Sequence, residues 1–264
     1  MNLQVLTDEV IVLAKETGAF IREERKTFKT SDIEYKGHSN MVSYVDKTAE
    51  EMIVKRLIQL LPEAGFITEE ETINKTGDVF NWIVDPLDGT TNFIHGLPPY
   101  SVSIALEQNS ELILGVVYEV TMDECFYAWK GGGAYLNGEP IQVSPHNELS
   151  KTLIATGFPY YNFEKETQYL NIVRELMQQC HGVRRMGSAA VDMAYVACGR
   201  FDAYFEYNIN LYDIAAGAVI VREAGGAAFN FSGGDEFYHS REMIASNGKV
   251  GEAMKEVVQR HFYK

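Results

Sequence analysis

Residues 82–95 read Trp-Ile-Val-Asp-Pro-Leu-Asp-Gly-Thr-Thr-Asn-Phe-Ile-His, and this stretch carries two carboxylates, Asp85 and Asp88, on what reads as a single turn. The apolar run Trp82, Ile83, Val84 predicts a buried strand that delivers Asp85 to its end, where Pro86, lacking an N–H, stops the sheet ladder. Asp88 is followed by Gly89, Thr90 and Thr91, small residues whose amides can open a helix and face an anion. Two acids and a nest of amides suit the handling of a charged oxyanion. A lone Asp-Gly is more simply a tight turn, with Asp88 capping the helix that follows. The two readings part on whether further acids converge on this turn.

Elements on either side must position it. Leu6, Val10, Leu13, Ala14 and Ile21 recur at helical spacing, which predicts an amphipathic helix over residues 3–26. Residues 27–44 are polar, contain Gly37, Ser39 and Asn40, and predict a mobile loop or hairpin. Asp46 stands where the next helix starts, with Glu50 and Glu51 in its first turn and Ala49, Ile53, Leu57 and Leu60 along one face; Pro62 ends it. Phe66 and Ile67 begin a strand whose end presents Glu69, Glu70 and Glu71. After the acidic turn, residues 100–106, 112–118 and 125–129 read as successive strands, and Asn137-Gly138 marks a two-residue hairpin.

The second half begins after Ser144, with a strand at 153–156 and a helix over about 165–180. Arg184 and Arg185 precede Met186-Gly187-Ser188-Ala189-Ala190, which leads into a helix carrying Met193, Ala194 and Ala197. A strand over 201–205 presents Glu206 at its end, and Asp213 opens the last core helix. No Pro-, Gly- or Ser-rich linker divides the chain, so halves at 1–144 and 145–264 are expected to pack as one unit.

The chain has 264 residues, 46% of them hydrophobic, enough for one large or two moderate cores. Asp8, Glu9, Lys15 and Glu16 interrupt what would be a signal peptide's apolar core, and no apolar run approaches the ~20 residues of a membrane span, so the cytoplasm is the expected compartment. Cys125, Cys180 and Cys198 form no CxxC pair and read as reduced core or near-core residues. A formal net charge of −14 argues against nucleic acid as the main partner. The run Gly131-Gly132-Gly133 lacks dinucleotide or Walker spacing, and there is no HExxH motif or nucleophile elbow.

The string over 82–95 resembles the first signature of the inositol monophosphatase family, the magnesium-dependent, lithium-sensitive sugar phosphatases, in which an apolar strand runs into Asp-Pro-apolar-Asp-Gly-Thr. Residues 212–226, Tyr-Asp-Ile-Ala-Ala-Gly through Glu-Ala-Gly-Gly, are similar to its second signature, although Tyr212 stands where relatives most often carry tryptophan. Phe66-Ile67-Thr68-Glu69-Glu70 resembles the segment bearing the glutamate that precedes the first signature. The three occur in the family's order, and the likeness runs from the first helix to about residue 250.

The resemblance implies a layered αβαβα sandwich and hydrolysis of a sugar or polyol phosphate monoester, with inositol 1-phosphate first. Fructose 1,6-bisphosphate, the 2′-phosphate of NADP and 3′-phosphoadenosine 5′-phosphate are the rivals. It further implies two to three Mg²⁺ ions: Glu69, Asp85 and the Leu87 carbonyl at the first, Asp85, Asp88 and Asp213 at the second, Glu69 sharing a weaker third. By the same resemblance Glu69 and Thr90 orient the attacking water, Asp46 polarises Thr90, Gly89 and Thr90 meet the phosphate, and Lys36 lies near the metals. Glu206 and the Gly187-Ser188-Ala189 backbone would contact the sugar. Read by itself, Lys36 is a solvated lysine. Relatives are commonly homodimers. From a different class, the chain could be a binding partner in transcription or RNA processing, as some bacterial relatives are thought to be.

Overall fold

Alternation along one strand sets the layering. In the computed structural model, which describes residues 1–29, 31, 33–35, 41–159 and 163–263, strand β4 (Phe80–Asp88) sends Trp82 and Val84 to one side of its sheet and Ile83 to the other. Trp82 and Val84 join a cluster with helices α1 (Leu3–Thr27) and α2 (Tyr44–Leu60). Ile83 joins a second cluster with α5 (Ala189–Ala197) and α6 (Leu211–Glu223). Each such fully buried aliphatic side chain is worth roughly 1.5–3 kcal/mol.

The sheet has seven strands in the order β3 (Gly65–Thr68), β4, β5 (Ser101–Gln108), β6 (Glu111–Glu119), β7 (Glu124–Trp129), β8 (Gly133–Leu136), β9 (Glu139–Ile141). Only β3 and β4 run parallel; the rest form an antiparallel meander. The predicted Asn137-Gly138 turn joins β8 to β9 with φ of 50° and 93°, the left-handed pair that such a tight hairpin needs. Within the polar segment, residues Ile33–Tyr35 (β1) and Met41–Ser43 (β2) pair antiparallel.

A second sheet, ordered β11 (Gly182–Arg184), β10 (Leu153–Thr156), β12 (Ala203–Tyr207), β14 (Glu242–Ser246), β13 (Ala227–Phe229), covers the other side of α5 and α6. Its far face packs on α4 (Glu166–Gln179) and α7 (Gly251–Phe262). Helices, sheet, helices, sheet, helices is the αβαβα sandwich. The central layer is tight: a Cβ on Gly115 of β6 would lie 2.5 Å from the Ala216 carbonyl oxygen of α6, so glycine lets that helix sit down on the sheet.

Two boundaries differ from the sequence reading. Pro86 does not stop β4, which runs on to Asp88 through a bulge that has no use for the missing N–H. The strand predicted over 201–205 spans Ala203–Tyr207, so Glu206 stands inside it rather than at its end. Asp202 instead turns its carboxylate to the Ser144 hydroxyl and the Leu153 N–H.

Candidate active site

The bulge decides where the two signature acids point. Asp85 pairs with Ser103 and Asp88 with Ser101, so three steps on β4 match two on β5. Residues three apart on a regular strand face opposite ways. The one extra residue restores both carboxylates to the side that faces α5 and α6. The Leu87 N–H then donates to Asp85 Oδ1 at 2.9 Å.

From the central layer α6 brings Asp213. It is the helix's third residue, and its Oδ2 accepts the Asn210 N–H at 2.8 Å. Asp46 holds the matching place in α2: Oδ2 accepts the Ser43 N–H at 2.8 Å and hydroxyl at 2.7 Å, while Oδ1 faces the Thr90 hydroxyl at 3.1 Å. Both acids therefore sit inside their helices as reciprocal caps, and the residues at the actual starts are Ser43 and Asn210. Asp88 does not cap the helix after it, α3 (Thr90–His95), whose cap is left-handed Gly89. It crosses to α5, accepting the Ser188 hydroxyl at 2.5 Å and the Ala190 N–H at 2.8 Å.

Glu69 follows β3 and is held beside β4 by its own N–H, which reaches the Val84 carbonyl at 3.2 Å. The segment after it is gripped from α2. Buried Glu50 accepts the Glu70 N–H, the Thr72 N–H and the Thr72 hydroxyl, each at 2.8 Å.

These elements make one cleft, lined by Glu69, Asp85, Leu87, Asp88, Gly89 and Thr90 from the first half of the chain. Gly187, Ser188, Ala189, Glu206 and Asp213 line it from the second, and Asp46 stands behind Thr90. Lys36 falls outside the described residues. The Glu206 carboxylate is fixed by the Tyr204 hydroxyl, which donates to Oε2 at 2.6 Å.

One oxygen from each of Asp85, Asp88 and Asp213 lies within 4.8 Å of the others. Burial, then the charges of Glu69, Asp88 and Asp213, push the Asp85 carboxyl well above the carboxylate range. Glu69 is driven well up by burial and by Asp213, Glu70 and Asp46. Asp213 rises to about 8 through burial and Asp88. Asp88 stops at about 6, because burial is opposed by the bonds from Ser188, Ala190 and Ala189 and by the Arg185 charge. Crowding of this kind keeps some of these acids protonated at neutral pH unless a cation replaces the protons. An all-oxygen donor set fits a hard metal ion.

Two residues here were missed from sequence. Glu50 read as ordinary first-turn charge, because its partners lie twenty residues on in an irregular segment. Asp192 lines the cleft from α5; its signal was available, as the one acid in an otherwise apolar helix. The cysteines are free, Cys125 buried and Cys180 and Cys198 partly so. Among the described residues, no helix is long and apolar enough to cross a membrane.

Comparison with known proteins gives the family. The chain is 41% identical over 229 residues, 86% of each chain, to an inositol-1-monophosphatase of Rhizobium meliloti. It is 40% identical over 242 residues, 91% of each, to the Nus factor SuhB of Escherichia coli K12. Its structure superposes on the inositol monophosphatase of Thermotoga maritima with a TM-score of 0.87 at 36% identity, covering 96% of both chains. On the extragenic suppressor protein SuhB of Bartonella henselae the TM-score is 0.91 at 34% identity, covering 97% of this chain and 99% of that one. The inositol monophosphatase family profile matches residues 2–263, and the chain belongs to that family of phosphatases.

Proposed function

We propose that the protein is a Mg²⁺-dependent phosphomonoesterase acting on inositol 1-phosphate or a closely related sugar or polyol phosphate. The observation that carries this reading is the convergence of Asp85, Asp88 and Asp213 within 4.8 Å, in the cleft that Glu69 and Thr90 also line. Mg²⁺ takes about six oxygens at ~2.0–2.1 Å and keeps several waters. Glu69, Asp85 and the Leu87 carbonyl would hold one ion, Asp85, Asp88 and Asp213 a second, and Glu69 would share a third. Bound there, the ions would acidify the attacking water and neutralise charge on the phosphoryl oxygens and the leaving alkoxide.

The chain's own groups do the rest. The Thr90 hydroxyl has one proton and two acceptors in reach, Asp46 Oδ1 at 3.1 Å and the Leu87 carbonyl at 3.0 Å. With that proton directed inward, its lone pairs accept from a water in the cleft, and Glu69 accepts the water's other hydrogen. The water oxygen bonds to phosphorus as the ester P–O bond breaks; the attacking water's proton passes to Glu69, and a solvent water protonates the departing alkoxide to the alcohol, the hydroxide it leaves taking the proton back from Glu69. No covalent enzyme intermediate is needed. The Gly89 and Thr90 amides, at the start of α3, meet the phosphate oxygens.

Phosphate release from inositol 1-phosphate, fructose 1,6-bisphosphate, NADP and 3′-phosphoadenosine 5′-phosphate, with Mg²⁺, with EDTA and with added Li⁺, tests the reading. Inositol 1-phosphate should lead, EDTA should abolish release and Li⁺ should inhibit. Full activity after EDTA and dialysis would overturn the metal requirement.

The likeness to proteins named Nus factor SuhB supports a second role, as a binding partner in transcription. Pulldown with Asp85→Asn separates the two: capture that persists without hydrolysis makes binding independent of the phosphatase site.

A further inference from the structure

Asp192 has no role in the scheme above, yet it is the fourth residue of a helix that is otherwise apolar and nearly all buried. Its own backbone N–H follows the helix, donating to the Ser188 carbonyl at 3.0 Å. Its side chain is 1% exposed and Oδ1 has no hydrogen-bond partner. A buried carboxyl oxygen without a partner costs several kcal/mol in an apolar setting, so native structures almost always give such a group something to bind. Asp192 lines the same cleft as Glu206.

The two acids are neighbours. Glu206 exerts the largest charge effect on Asp192, and the charges of both push up the Tyr204 hydroxyl. Glu206 is fixed from two sides. The Tyr204 hydroxyl holds Oε2 at 2.6 Å, and Gly157 backs the carboxylate so closely that a Cβ there would fall 1.8 Å from Oε2. An immobile acid on β12 and an acid on α5 with one unpartnered oxygen thus line one cleft. That space adjoins the Ser188 and Ala190 groups that hold Asp88.

We propose that Asp192 and Glu206 together form a clasp for two hydroxyls of the leaving alcohol, making Asp192 a specificity-determining residue for polyol phosphates. The proposal rests on the phosphatase reading and deepens it, by requiring an alcohol with at least two free hydroxyls. A hydroxyl both donates and accepts, which suits acids that hold protons near neutrality: burial lifts Glu206 to about 7 and Asp192 well above the carboxylate range. Arg185, also lining the cleft, acts on both acids with positive charge and disfavours a cationic leaving group there.

The test compares kcat/KM for inositol 1-phosphate and cyclohexyl phosphate, the same ring without its hydroxyls, in wild type, Asp192→Ala and Asp192→Asn. Wild type should favour the inositol ester. Asp192→Ala should shrink that preference about tenfold or more, since a site built around a hydroxyl discriminates through the group it leaves unpaired. Asp192→Asn, isosteric and still able to donate and accept, should keep most of it. Equal losses on both esters, or an unchanged preference, would overturn the clasp, and so would wild-type preference for phosphoethanolamine over inositol 1-phosphate. If Asp192→Ala does not fold, the wild-type ratio decides: no preference for inositol 1-phosphate over cyclohexyl phosphate rejects the clasp, and a tenfold one sustains it. Wild type that releases phosphate from none of these esters refutes the phosphatase reading itself.

Discussion

The carboxylate of Glu50, wholly buried in α2, accepts the backbone N–H of Glu70 at 2.8 Å, one residue past the glutamate that lines the cleft. Two further bonds from Thr72 complete the grip, so Glu50 positions Glu69 without touching the site. Glu50→Gln keeps the shape but weakens three bonds to a charged acceptor. It should lower the apparent Mg²⁺ affinity about tenfold, the usual effect of losing a group that orients a ligand. Turnover should recover at saturating Mg²⁺. A Mg²⁺ titration of phosphate release checks this, and lost turnover with unchanged Mg²⁺ dependence would place the role of Glu50 elsewhere.

Asp85 is opposed by burial and by three neighbouring acids, whereas Asp88 is eased by bonds from α5. Neutralising Asp85 should therefore relieve the metal-free fold. We expect Asp85→Asn to lose nearly all phosphate release, yet to melt about 2–4 °C higher than wild type in EDTA, the shift that about 1 kcal/mol gives a chain of this size. Excess Mg²⁺ should raise the wild-type melting temperature more than the mutant's. Melts of both proteins in both buffers decide it.

Thr90→Ser keeps the hydroxyl between Asp46 and Leu87 and should retain most activity, while Thr90→Val should cost about 10²–10⁴ in kcat with little change in KM. Asp46→Asn leaves an acceptor for Thr90 and should fall between them. A KM rise as large as the kcat loss would mark Thr90 as a phosphate-binding group instead.

The raised acids also fix a pH dependence. In the fold Asp88, Glu206 and Asp213 titrate at about 6, 7 and 8, against about 4 when unfolded. The native state thus holds more protons between about pH 4 and 8, and its stability falls as pH rises through that window. Metal-free protein should melt progressively lower from about pH 5 to 8, and Mg²⁺ should flatten the slope. A metal-free melting temperature that climbs over this range would contradict the assignment.

Local chemistry made much of this legible. The run Trp82-Ile83-Val84, the Asn137-Gly138 turn and the helical spacing before residue 27 each act over a few residues, and the structure has them where they were expected. The bulge at Pro86 was not readable, because an extra residue is defined only against the strand opposite, here Ser101 and Ser103. Glu50 was missed for the same reason, its partners being remote in sequence. Asp46 and Asp213 were placed at helix starts because a cap and a third-position acid share a composition signature and differ by three residues.

The backbone bonds to the aspartates bear on which cation the proposed site would hold. Asp85 has Oδ1 taken by the Leu87 N–H, Asp88 has Oδ2 taken by the Ala190 N–H, and Asp213 has Oδ2 taken by the Asn210 N–H. Each acid thus has one oxygen engaged by a backbone N–H, which weakens that oxygen as a donor to a bound cation. Calcium draws on chelating carboxylates to fill six to eight positions, and magnesium does not. Calcium binding bidentately would compete with bonds that anchor the bulge and the first turns of α5 and α6. On this ground the proposed site would favour magnesium over calcium.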